Sequence, residues 1–187
     1  MKIHLSIYLL FLIFITGCVK DATLNQLEAT ELADAYLKWN PVYETEKIAL
    51  GEIKFKSSKD KEELARFKEL ESKGYLTLTL MQQKKKFLSA DSSYAYQITL
   101  TDKAKPYIVK QENNKATIKV MEYELDEGKP ATLDKSGIKT AKVTVMLKKV
   151  QNAFTIFYQD KNNGSDFITK TYKLKYHKED GWSVAGE

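Results

Sequence analysis

Cysteine occurs once in the 187 residues, at Cys18, so the chain can form no internal disulfide and no thiolate cluster for zinc. Histidine occurs only at His4 and His177, which leaves too few imidazoles for a histidine metal triad. Arg66 is the sole arginine. Nearly all positive charge is therefore on lysine, a point charge that lacks the bidentate fork used to read guanine and phosphate. The eight glycines form neither a G-x-G-x-x-G turn nor a phosphate loop, and no G-x-S-x-G elbow is present. A formal charge of +5 is too small to imply a polyanionic partner.

What the chain has in abundance lies first at its start. Lys2 precedes a run from Leu5 to Ile15 that is apolar but for Ser6 and the Tyr8 hydroxyl, and that ends in Ile15-Thr16-Gly17-Cys18. This order predicts a secretory signal over 1–17, too short for the roughly 20 apolar residues a membrane-spanning helix needs. Its last four residues resemble the lipobox of bacterial lipoproteins. The resemblance implies cleavage before Cys18, acyl chains attached to that residue, and a short tether over 18–23. An ordinary signal peptide with a chance cysteine is the alternative. Two or three acyl chains, at about 0.8 kcal/mol per buried methylene, hold a protein on a bilayer essentially permanently. The implied location is the bacterial cell envelope, on the outer membrane where a cell has two, since Val19 replaces the Asp of an inner-membrane retention signal.

The remainder has a hydrophobic fraction of 43% and 11% aromatics, enough for a packed core. Thr23 or Asn25 is placed to cap a helix to Trp39, with Leu24, Leu27, Leu32, Ala33, Tyr36 and Leu37 on one face. Ile48, Leu50, Ile53 and Phe55 alternate imperfectly, predicting one strand over 47–56. Asp60 and Glu63 stand at capping-box spacing before a helix over 61–73, and Gly74 sits where a left-handed terminating residue belongs. Strict alternation over 75–80 and 94–100 around a polar connector predicts a long hairpin. After Pro106, strands are predicted over 116–125, 138–150, 153–159 and 167–177, with turns at Asn162-Asn163-Gly164 and Asp180-Gly181.

Leu70-Glu71-Ser72-Lys73-Gly74-Tyr75-Leu76-Thr77, a polar wing and Tyr96-Gln97-Ile98-Thr99-Leu100-Thr101-Asp102-Lys103-Ala104 resemble the helix, wing and closing segment of winged-helix domains. Such domains often bind DNA, but Glu62, Glu63, Glu69 and Glu71 on the helix oppose that use, and Lys84, Lys85 and Lys86 in the wing read as a solvated turn. The ending, from Tyr172 through Asp180-Gly181-Trp182, resembles the last hairpin of cystatin-like folds. The whole order is similar to that of poorly characterised bacterial envelope lipoproteins, a resemblance that implies no activity. The fold expected is α+β: a winged-helix-like portion over 24–108 and a curved antiparallel sheet over 109–187.

Candidates for chemistry are few. Glu122, Glu124 and Asp126 alternate along one strand, the spacing of a carboxylate pair, and also of a wet strand face. Asp160 to Asp166 offers oxygen ligands around Gly164 without the closing Glu of a calcium loop. Tyr94, Tyr96, Tyr107, Phe154, Phe157, Tyr158, Tyr172, Tyr176 and Trp182 suit either a core or the wall of a ligand cone. The reading reached is a noncatalytic binding or scaffolding module tethered through Cys18, with no cofactor, metal or nucleic acid, and with an envelope protein or wall polymer as partner. The alternative is a cystatin-like domain that binds or hydrolyses a small molecule in its cone.

Overall fold

The computed structural model describes residues 23–56, 58–85, 92–160 and 164–187. The lipid-attachment residue expected at Cys18 lies outside them. The chain is mixed α and β, dominated by antiparallel strands, and its larger sheet is strongly curled into a half-barrel.

Helix α1 spans Gln26–Trp39 and is started by a capping box, in which the Asn25 side chain accepts from Glu28 N and the Glu28 carboxylate accepts from Asn25 N. The strand expected over 47–56 is instead two: Val42–Ala49 (β1) and Gly51–Lys56 (β2). They join different sheets. Gly51, at φ +80°, turns the chain through a left-handed conformation that a side chain would resist, and periodicity alone does not reveal that break. Helix α2 covers Lys61–Ser72 and buries Phe67 and Leu70. Its expected capping box is absent: the Asp60 carboxylate accepts from Lys56 N at 2.8 Å instead of capping the helix. Gly74 does adopt the left-handed conformation, at φ +76°.

Leu76–Lys85 (β3) and Ser92–Leu100 (β4) pair as the expected hairpin, and each runs into what reads as a polar connector. With β2 they form a three-stranded sheet ordered β2-β4-β3. Ile108–Glu112 (β5), Lys115–Leu125 (β6), Thr132–Lys135 (β7), Thr140–Val150 (β8), Phe167–His177 (β9) and Gly181–Gly186 (β10) follow. The seven-stranded sheet runs β1-β6-β8-β9-β10, with β5 on β6 and β7 on β8. Residues 153–159 are not a strand. Ala153–Phe157 form a 3₁₀ turn, because Asn152 and Thr155 cap its start reciprocally and Ala153-Phe154 breaks the alternation a strand needs.

Alternation along β8 buries Ala141, Val143, Val145 and Leu147; the larger of these contribute about 2 kcal/mol each. Along β9 it buries Tyr172, Leu174 and Tyr176. These rows, Tyr176 apart, and Ala29, Ala33 and Leu37 of α1 make the first core. A second core gathers Phe55, Phe67, Leu70, Leu76, Ile98 and Phe154 around Ala116, Ile118 and Val120 of β6. β6 thus runs through both, supplying Met121 and Tyr123 to the first. Its buried positions switch from even to odd where the pairing with β1 shifts register at Glu44/Thr45, the mark of a bulge. Helix α1 and strand β1 precede residue 108 yet belong with the large sheet formed after it.

Candidate functional site: clefts along the first helix

Ala29 and Ala33, both fully buried, let the α1 backbone approach the sheet closely. Gln26 Nε2 ties the helix to the β6–β7 connection by donating to the Ala131 carbonyl at 2.6 Å. Narrow where it packs, the helix leaves clefts on its flanks. One of about 520 Å³ opens between its first turns and the β9–β10 hairpin, walled by Leu32, Tyr176 and Trp182 and edged by Glu28, Glu31 and Asp180. A second, of about 580 Å³, lies against the β6–β7 connection with Glu31, Asp34, Asp126 and Glu127. A third, of about 420 Å³, continues toward the end of the helix with Asp34, Glu122, Glu124 and Glu127. Each has the volume of a small-ligand site. Shared residues make them a continuous acidic band, with Lys38 and Lys129 the lysines among their lining residues.

Several carboxylates of the band are already engaged. Glu28 belongs to the helix cap, Asp34 pairs with Lys38 at 2.7 Å, and Asp126 accepts from Gly128 N at 3.1 Å. The Asp34 carboxylate accepting from Lys38 raises that ammonium's pKa. Glu122 accepts from Asn152 Nδ2 and, at 3.5 Å, from Lys119. Among the described residues Glu31, Glu124, Glu127 and Asp180 make no hydrogen bond or ion pair. Glu31, Glu127 and Asp180 are left to face an incoming cation, whereas Glu124 stands in register with Lys148 on the neighbouring strand. Trp182 and Tyr176, with ring centroids 5.6 Å apart, supply an aromatic wall beside Asp180, a combination that suits an ammonium or guanidinium group.

The residues singled out in the sequence are dispersed. Glu122 and Glu124 line the third cleft and Asp126 the second, so their alternation does not make one carboxylate pair. Asp160 holds Lys149 at 3.2 Å and accepts from Gly164 N, while residues 161–163 of that loop lie outside the described set. His177 is exposed at the end of β9. Lys84 borders a cavity of about 180 Å³ on the three-stranded sheet with Lys54 and Tyr94; Lys86 lies outside the described residues. The aromatics do not share one cone. Phe154 is packed between Tyr75 and Tyr107 in the second core, centroids 5.6 and 5.5 Å away, whereas Tyr172 belongs to the first and Trp182 packs on it. Among the described residues no group of three histidine, cysteine or acidic side chains is placed to hold a metal, and no helix is long and apolar enough to cross a membrane.

A polar junction escaped the sequence reading. Tyr123 donates to Glu44 at 2.5 Å, and the Tyr158 hydroxyl lies 3.3 Å from both Glu44 and Asp160. Burial, then the bond to Glu44, pushes the Tyr123 phenol far up. Tyr158 packs against both cores, so the junction fastens them together. Compared with protein-family models, curated proteins and solved structures, the chain matches none.

Proposed function

We propose that this chain is an exported lipoprotein, held on a bacterial envelope membrane through acyl chains on Cys18, whose globular part is a noncatalytic binding module. The recognition surface is the acidic band along α1, and the partner is a lysine- or arginine-rich segment of another envelope protein. One observation carries the reading: clefts of 420 to 580 Å³ present Glu31, Glu127 and Asp180 uncommitted, with an aromatic wall beside Asp180 in the first of them. Within this reading Leu70–Ala104 is a winged-helix-like element with a structural role. On its helix Glu62, Glu63, Glu69 and Glu71 outnumber Lys61, Arg66 and Lys68, a balance that opposes binding to nucleic-acid phosphates.

The test is cross-linking of the intact chain in native membranes, followed by capture and mass spectrometry, beside Cys18→Ala and Glu31→Lys/Glu127→Lys chains. A protein recovered with the native chain and lost with the charge reversal supports the module; recovery unchanged by the reversal refutes the acidic band. An intact mass of the chain from native membranes that showed no acyl groups would falsify the anchor. The Trp182–Tyr176 wall of the 520 Å³ cleft favours a second reading, a site for a small organic cation. Retention of such a molecule by Asp180→Ala as strongly as by the native chain would refute it.

A further inference from the structure

The outer face of the seven-stranded sheet presents four exposed lysines on β8 and β9, against Asp134 and Glu124 in register with two of them, and among the described residues no helix packs on it. Inward residues of β8 and β9 meet α1, while Lys142, Lys148, Lys173 and Lys175 point the other way and are exposed. Register sets Lys142 directly opposite Lys173, with Lys175 next on the same face. Like charges directly opposite across antiparallel strands destabilise the pair. Asp134 stands in register with Lys142, yet among the described residues it makes no ion pair, and neither do Lys142, Lys148 and Lys175. The Lys173 ammonium donates only to the Glu187 carbonyl, at 2.6 Å. A chain of modest formal charge, +5, thus gathers most of its cleft acids along α1 and an excess of lysine over acid on the strands behind it.

Chain length fixes what lies close to this face. Leu24 is buried at the start of α1, and from Cys18 to Leu24 the backbone reaches at most about 20 Å. The helix is itself about 10 Å across, so a lipid on Cys18 keeps the sheet behind the helix within reach of the bilayer surface. We propose that the lysine face docks on the phosphate headgroups of the anionic bilayer that bears the anchor, turning α1 and its acidic clefts to the aqueous side. Anionic headgroups favour each lysine near the surface by about fivefold in partitioning, within a Debye length. They repel the α1 face, which sets the orientation. The proximity rests on the reading of Cys18 as the anchor; the charge pattern does not.

The test uses the intact chain reconstituted in vesicles of phosphatidylcholine, alone or mixed with an equal part of phosphatidylglycerol. Amine acetylation is then read residue by residue by mass spectrometry. Lys142, Lys148, Lys173 and Lys175 should label severalfold more slowly on the mixed vesicles, with Lys54 and Lys84 unchanged and the difference erased by molar salt. In Lys142→Glu/Lys173→Glu/Lys175→Glu, all at exposed strand positions, the protection of Lys148 should vanish. Equal labelling on both vesicles overturns the proposal, and so does equal protection by soluble inorganic polyphosphate without vesicles, which would make the ligand a free polyanion. The intact mass of the chain from native membranes reads acylation separately. If that mass shows none, the anchor fails while the lysine face is still scored, because the apolar Leu5–Ile15 run brings the uncleaved chain to the vesicles.

Discussion

Tyr172 is fully buried beneath α1, 5.3 Å from the Tyr36 ring, and among the described residues its hydroxyl has no hydrogen-bond partner. Leaving a buried hydroxyl unpaired costs about 1–3 kcal/mol. Tyr172→Phe should therefore stabilise the fold by about 1 kcal/mol, a rise in Tm of roughly 2–4 °C for a domain of this size, measurable by calorimetry. Burial also pushes the Tyr172 phenol up to about 12. A raised phenol contributes stability that is fully present below the ordinary tyrosine value near 10 and is lost as pH climbs toward 12. The advantage of the phenylalanine variant should accordingly widen between about pH 10 and 12; a constant difference across that window would contradict the assignment. That Tyr172 faces inward is legible from its alternation with Lys173 and Lys175. Its missing partner is not, because that depends on what α1, far away in sequence, brings to the ring's tip. Glu31, Glu124, Glu127 and Asp180 are illegible for the same reason: each reads as an ordinary solvated carboxylate until the fold lines them along one helix.

Helix α1 is the element on which those clefts depend, and its cap is its weakest joint. Asn25→Ala removes the acceptor for Glu28 N and should cost about 1 kcal/mol. Chemical denaturation should show that loss, and loosening of the first turn should weaken cation binding in the 520 Å³ cleft more than in the 420 Å³ one. Gly74→Ala probes the end of α2. A methyl there meets nothing within 4 Å, so any loss reports backbone strain alone, about 1–2 kcal/mol, read from the same denaturation. Both helix ends and the long strands β8 and β9 are written locally, in caps and alternation. Leu50-Gly51 and Ala153–Phe157 are not: an apolar-rich segment gives the same composition whether it continues as a strand, changes sheet or coils into a 3₁₀ turn.

For the molecule as a whole, β1 and β6 decide how far damage spreads. Ile48 lies in the second core and Val42 packs on the first, and β6 serves both in the same way. Phe154→Ala, in the middle of the second core, should cost about 3–5 kcal/mol and should also lower hydrogen-exchange protection at Val143, Val145 and Leu147 in the first. Loss confined to residues around Phe154 would show two independent units. A change of character near Pro106 is visible in the sequence, but the sharing of sheet strands across it is not, since antiparallel partners distant in the chain leave no mark in either segment. Those distances have a consequence for timing. Glu44 must wait for Tyr123, 79 residues later, Gln26 for Ala131, 105 later, and Glu44 again for Tyr158, 114 later. During synthesis the early segments emerge with their long-range partners still unmade, and the large sheet closes only when its last hairpin arrives. A chain built in this order is nearly all synthesised before it has a native structure to lose.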